Sequence, residues 1–148
     1  MTMHPLNAEF LGEAGRQIAF VSAFLGGFAA TFLGILLQSP NSRRHVGWAA
    51  GAAAVASASF ILAVVSGSLL ALVVHPGAPP DLAKPTLPAG VEALTPLRIL
   101  MAITFIVGIY STLLSLGLSG WIRSRQLGIV TSVAAFVSAV IVLLLLSL

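Results

Sequence analysis

The chain has no cysteine, and only 7% of its 148 residues are charged. The absence of cysteine excludes disulfide bonds, thiolate metal sites and cysteine nucleophiles. A soluble domain has about a quarter of its residues charged, so this chain has too few charges to cover a water-facing surface. Hydrophobic residues make up 58% of the chain, and its mean hydropathy is +1.07. We therefore expect an integral membrane protein whose surface faces mostly the lipid bilayer.

Chemically active side chains are also scarce. Apart from Arg98, at the start of the third apolar segment, these segments contain no Asp, Glu, Lys or Arg, which argues against a proton relay or a coupled pump. His4, His45 and His75 are too far apart to share a metal ion or a haem. The basic residues lie in turns and do not cluster on one face, so nucleic acid is not an expected partner. The sequence predicts no catalytic residue, no metal, no cofactor and no enzymatic activity.

Four apolar segments have at least the roughly 20 residues needed to cross a bilayer as a helix. These predicted spans are 17–38, 46–74, 97–121 and 127–148. Residues 1–16 precede them and are predicted to form an interfacial segment. Residues 76–96 contain six of the eight prolines and are predicted to form an extended loop. The chain is thus expected to be one all-α membrane domain with four transmembrane helices.

A second pattern is an internal repeat. Residues 18–62 align without a gap on residues 99–143, and thirteen positions are identical. Each copy consists of an apolar helix, a short turn with arginine and a second apolar helix. The sequence therefore predicts a tandem duplication of a helical hairpin, with repeat 1 at 17–75 and repeat 2 at 97–148. Because both turns fall on one side, the repeats are expected to be parallel, related by a pseudo-two-fold axis along the membrane normal.

The arginines predict the topology. Arg43 and Arg44 lie in the first turn, and Arg123 and Arg125 lie in the second. The positive-inside rule then places both turns in the cytoplasm, with the termini and the proline-rich loop outside. The predicted location is the cell inner membrane, with multiple passes.

Small residues recur on one face of each predicted helix. In lipid, such residues allow helix backbones to approach closely. Two interpretations are open for these positions: packing seams between helices, or a polar path through the bundle. They are Gly27, Thr31, Gly34, Ser57, Gly108, Thr112, Ser115 and Ser138.

Four phenylalanines, Phe20, Phe24, Phe28 and Phe32, form a ridge on the first helix. Only Phe24 recurs in the second copy. The ridge is a candidate face for a neighbouring subunit, and a lipid-facing surface is an equally good interpretation.

Two functions are compatible with these features. The first is a non-catalytic membrane protein that forms a homo-oligomer or serves as an accessory subunit of a membrane complex. The alternative is a channel or facilitator for a small or weakly polar solute along a bundle or oligomer axis.

Overall fold

The computed structural model describes residues 5–38, 44–75 and 95–147, and within these ranges all regular structure is helical. Helix α1 comprises Pro5–Leu37, α2 Arg44–Val74, α3 Thr95–Arg123 and α4 Arg125–Ser147. Arg43 and residues 76–94 of the predicted loop lie outside the described ranges.

All four helices are long and apolar enough to cross a membrane. The candidate spans contain 28, 30, 27 and 20 residues. At about 1.5 Å per residue, even the shortest span covers roughly 30 Å, the thickness of a hydrocarbon core. By its four apolar helices, the chain is a multi-pass membrane protein.

Helix α1 begins well before the predicted span. It starts at Pro5, a residue that the first helical turn accepts because the N–H it lacks would have no partner there. Residues 5–16 continue into the span because Gly12 and Gly15 pack against α2 and do not interrupt the helix. A Cβ atom built on Gly12 would lie 3.9 Å from Cγ1 of Val74.

The contacts divide the chain into two units, which we describe separately. Unit 1 comprises Met1–Leu25 and Ser59–Phe105, and unit 2 comprises Gly26–Ala58 and Ile106–Leu148. Each unit therefore draws on both predicted hairpins.

In unit 1, α1 and α2 approach each other at two glycines. A Cβ atom built on Gly67 would lie 2.9 Å from the carbonyl oxygen of Gly15, and one built on Gly15 would lie 3.0 Å from the carbonyl oxygen of Gly67. Ala19 and Ala63 are also buried in this unit. The small side chains place the two backbones in direct contact, as membrane helices require for close packing.

The buried hydroxyls of unit 1 differ in their hydrogen bonds. Ser66 and Thr104 donate to carbonyls of their own helices. Ser22 is fully buried, and its Oγ has no hydrogen-bond partner. An unpaired buried hydroxyl destabilises a fold, so the packing of unit 1 must offset the cost of burying Ser22.

In unit 2, the core lies between α1 and α2 and is covered by α3. Leu36, Ala49, Ala50 and Ala53 are buried together. Phe32, Leu33, Leu118 and Ile122 pack around them. The alanines of α2 leave room for larger residues of the flanking helices, so this core is also built on a helix with small side chains.

Substituting Gly67 tests the contact in unit 1. We expect Gly67→Ala to lower the free energy of unfolding by about 1–3 kcal/mol, the usual range for overpacking, because the added methyl group meets a backbone oxygen that cannot rotate away. Thermal unfolding in detergent micelles would measure this.

Gly51→Ala is the matched control, because it lies on the same helix and a Cβ atom there has nothing within 4 Å. It should change stability by no more than about 1 kcal/mol, in the stabilising direction, since alanine is the better helix former. Equal losses in the two variants would contradict the proposed contact.

Candidate functional site

The best-formed concave surface lies in unit 2, between α3 and α4. The two helices are separated by a single non-helical residue, Ser124. Its Oγ accepts a hydrogen bond from the backbone N–H of Leu127 at 3.1 Å. Ser124 is therefore the N-cap of α4, and this cap fixes the tight turn that makes α3 and α4 antiparallel neighbours.

Glycines allow the two helices to meet near this turn. A Cβ atom built on Gly120 would lie 2.7 Å from the carbonyl oxygen of Leu127 and 3.0 Å from Cα of Gly128. One built on Gly128 would lie 2.6–2.9 Å from three ring atoms of Trp121. The indole therefore covers Gly128 directly, and no larger residue fits at either glycine without a shift of its neighbours.

Polar side chains join α3 and α4 above the glycines. The indole N–H of Trp121 donates to Oγ of Ser132 at 3.0 Å. The hydroxyls of Thr131 and Ser132 approach the carbonyl oxygen of Gly117 at 3.1 and 3.4 Å. These groups are thus paired across the helix contact, which fixes the positions of the indole and of both hydroxyls.

Farther from the turn, α3 and α4 diverge and leave an open cleft of about 300 Å³. The phenol of Tyr110 bridges the helices there by donating to the carbonyl oxygen of Ala139 at 3.3 Å. The lining contains no carboxylate, amine or imidazole, so the cleft offers apolar contact and not acid–base chemistry. It is lined by Tyr110, Leu113, Leu114, Gly117, Leu118, Ser132, Ala135, Phe136 and Ala139.

Metal-binding side chains do not gather anywhere in ranges 5–38, 44–75 and 95–147. No three residues of His, Cys, Asp or Glu come together there. His45 and His75 are exposed at opposite ends of α2. The ion pair between Arg16 and Glu13, at 3.8 Å, is within α1 and exposed.

The predicted seam residues of repeat 1 have open surroundings on α1. Cβ atoms built on Gly27 and Gly34 would have nothing within 4 Å. Thr31 is exposed and donates to the carbonyl oxygen of Gly27 at 2.9 Å. On α2, Ser57 donates to the carbonyl oxygen of Ala53 at 3.0 Å.

Their counterparts in repeat 2 are more enclosed on α3. Gly108 is buried, and Thr112 donates to its carbonyl oxygen at 2.8 Å, as Thr31 does to Gly27. Ser115 is buried and donates to the carbonyl oxygen of Ala49 at 2.8 Å. Ser138 is exposed on α4. The structure therefore places Ser115 in a helix contact, whereas Thr31, Ser57 and Thr112 each donate within their own helix.

The four phenylalanines of the predicted ridge have different surroundings. Phe20 and Phe24 are 77% and 75% exposed. Phe28 and Phe32 stack with their ring centroids 6.3 Å apart, and Phe32 packs against the core of unit 2. Of the four topology arginines, Arg44 and Arg125 begin α2 and α4, and Arg123 ends α3.

Sequence reasoning missed the residues that close the contact between α3 and α4: Gly117, Gly120, Trp121 and Tyr110. The predicted seam residues are small in both copies, and Gly117 is not among them because its counterpart is Leu36. Gly117 and Gly120 are separated by one helical turn, a spacing that places them on one face. That spacing was the available signal for a close helix contact.

Comparisons with family models, with curated proteins and with solved structures find no match to this chain. Its function is therefore inferred from its own residues and their geometry.

The indole of Trp121 provides a test of the closed turn. In a Trp48→Phe background, Trp121 is the only tryptophan, and Gly128→Ala should displace its ring because the new methyl group needs the space it occupies. We expect a shift of the fluorescence emission maximum and a loss of about 1–3 kcal/mol of stability from overpacking.

The control is Gly47→Ala, at the equivalent position of repeat 1, where a Cβ atom has nothing within 4 Å. It should leave the emission spectrum unchanged. An unchanged spectrum in Gly128→Ala would show that the indole does not cover this glycine.

Proposed function

We propose that this chain is a non-catalytic membrane protein that acts by association, either as a homo-oligomer or as an accessory subunit of a membrane complex. The observation that supports the proposal most strongly is an exposed surface on α1. This surface combines large aromatic side chains with glycines at which a built Cβ atom has nothing within 4 Å among the described residues.

The surface is one continuous stripe of α1. Its residues are separated alternately by four and three positions, so they lie on the same helix face. We call it the α1 stripe, and it consists of Phe20, Phe24, Gly27, Thr31 and Gly34. Gly34 is half-buried, and the other four residues are exposed.

Glycines in this stripe are unfavourable unless a partner covers them. In a helix, glycine is about 1 kcal/mol less favourable than alanine. Lipid gives no compensation, because acyl chains pack equally well against larger side chains. Between helices, by contrast, glycine allows close backbone contact, which is a main source of association in membranes. Gly47 and Gly51 on α2 are open as well, but Gly27 and Gly34 share their helix face with the exposed rings of Phe20 and Phe24. We attribute this combination to a protein helix seated against the α1 stripe.

The tandem duplication and the topology belong to the same proposal. The uniform offset of 81 residues and the equivalent bonds of Thr31 and Thr112 support two parallel hairpin repeats. With the arginine-bearing turns in the cytoplasm of an inner-membrane protein, the termini and the proline-rich loop lie outside.

The alternative function, a channel or facilitator for a small solute, has less support. Thr31, Ser57 and Thr112 each donate to a carbonyl of their own helix, four residues earlier. Such bonds satisfy a hydroxyl within the helix and are typical of packing positions. A continuous polar path would need these groups to converge, and the described contacts do not bring them together.

The mass of the gently solubilised particle tests association. We expect the wild-type protein to form a particle of several chains, either copies of itself or other subunits. Combining Gly27→Leu with Gly34→Leu should reduce it to a single chain, because leucines block a helix on the stripe. Within the single chain, a Cβ atom at either position has nothing within 4 Å.

The matched control is Gly51→Leu, which also places a leucine on an open glycine but lies on α2. It should leave the particle mass unchanged. A wild-type protein that is a lone chain in mild detergent and in lipid nanodiscs would contradict the proposal.

A further inference from the structure

The contact between α2 and α3 is a template for a second contact, whose two helix faces are both largely exposed in the single chain. In unit 2, the hydroxyl of Ser115 on α3 donates to the carbonyl oxygen of Ala49 on α2 at 2.8 Å. Leu118 and Ile122 of α3 pack against the buried cluster that contains Ala49 and Ala53. The first helix of repeat 2 is thus seated on the second helix of repeat 1.

Unit 1 contains further contacts between the same two helices. The rings of Phe60 on α2 and Phe105 on α3 meet edge to face, with centroids 6.3 Å apart. Met101 and Thr104 of α3 are buried, and Sδ of Met101 lies 3.4 Å from a Cβ position on Gly67. Contacts between α2 and α3 therefore recur along both helices.

The 81-residue offset gives each α3 residue of this contact an equivalent residue on α1. Met101 and Phe105 are equivalent to Phe20 and Phe24, and Ser115 is equivalent to Gly34. Gly108 is buried on α3, whereas its equivalent Gly27 is exposed on α1. The face of α3 that contacts α2 therefore corresponds to the α1 stripe, which is exposed except at the half-buried Gly34.

The same offset converts the α2 side into a face of α4, which we call the α4 stripe: Val130, Ala134, Val137 and Ile141. These residues are the counterparts of Ala49, Ala53, Ala56 and Phe60, all buried on α2. On α4 all four are exposed, Val130 to 64% and Ile141 to 51%. Only 6% of the α4 span is buried in the chain.

The sizes of the paired residues support a real fit between the two stripes. Where the hydroxyl of Ser115 meets the backbone oxygen of Ala49, the equivalent positions are Gly34 in the α1 stripe and Val130 in the α4 stripe. The residue on one side becomes smaller and the residue on the other becomes larger, so that the valine side chain would occupy the space that the glycine leaves open. Such compensation keeps the packed volume nearly constant, which favours close packing in lipid.

We propose that the α1 stripe of one copy of this chain docks on the α4 stripe of a second copy, with Gly34 against Val130. The inference rests on the proposed associating function and names its partner, a second copy of the same chain. The contact follows the packing of α3 on α2 with one difference: Gly34 has no hydroxyl to donate as Ser115 does, so this contact relies on packing alone.

The orientations of the helices agree with this arrangement. Helices α2 and α3 are consecutive in a multi-pass chain, so they cross the membrane in opposite directions. Helices α1 and α4 also cross in opposite directions, because three crossings separate them. Docking two copies in one membrane therefore preserves the antiparallel geometry of the template. Because the two stripes are different surfaces, the contact is heterologous and generates a ring of copies when its rotation closes.

Disulfide cross-linking tests the docking, and the natural absence of cysteine makes every introduced thiol unique. Two differently tagged chains are co-expressed, one with Gly34→Cys and the other with Val130→Cys, and their membranes are oxidised. We expect a cross-linked product with both tags and twice the mass of one chain. A single chain with Ser115→Cys and Ala49→Cys is tested alongside as the internal reference, because the hydroxyl of Ser115 contacts the backbone of Ala49 within one chain.

The matched negative control replaces Gly34→Cys with Ile35→Cys, which is exposed at nearly the same depth but points about 100° away around the helix. We expect loss of the two-tag product. The proposal is overturned if both pairs cross-link equally, or if thiols at 34 and 130 join only when they are on one chain. It is also overturned if the particle contains several chains but this cross-link does not form, and that outcome leaves the associating function intact. A particle of one chain would contradict both the docking and the associating function.

Discussion

Direct contact between helix backbones is the constraint on which this structure depends. In lipid, no hydrophobic driving force holds helices together, because acyl chains are as apolar as the side chains. Stability must then come from close packing, and close packing needs small residues. At Gly15 and Gly67 the backbones of α1 and α2 meet, and at Gly120 and Gly128 those of α3 and α4 do so.

The four helices could be predicted from the sequence because long apolar runs without charge have few other stable conformations in a membrane. Their partners could be predicted less well. Small residues that recur in both copies pointed to Ser115, which is buried in a helix contact, but Gly15 and Gly67 lie outside the repeated stretch 18–62 and were missed. The side of a membrane helix that meets another helix depends on the partner's shape, and hydropathy carries no information about that shape.

Equivalent positions of the two copies have different surroundings, and this asymmetry carries the functional argument. Gly47 and Gly27 are open, whereas Gly128 lies under Trp121 and Gly108 is buried. We propose that Gly27, which is open while its counterpart Gly108 is buried, serves a contact outside the chain. The exposed phenylalanines beside Gly27 give the same indication, since they would add a large apolar area to a helix seated there.

The most direct test of this account is whether the α1 stripe is covered by protein in a bilayer. Fluorophenylalanine can be incorporated in lipid nanodiscs, and the resonances of Phe24 and Phe136 assigned by replacing each in turn. Both side chains are more than 70% exposed in the single chain, at 75% and 71%. Dissolved oxygen shifts the fluorine resonances of rings that face lipid. The account predicts a clearly smaller oxygen-induced shift at Phe24 than at Phe136, and equal shifts at the two rings would contradict it.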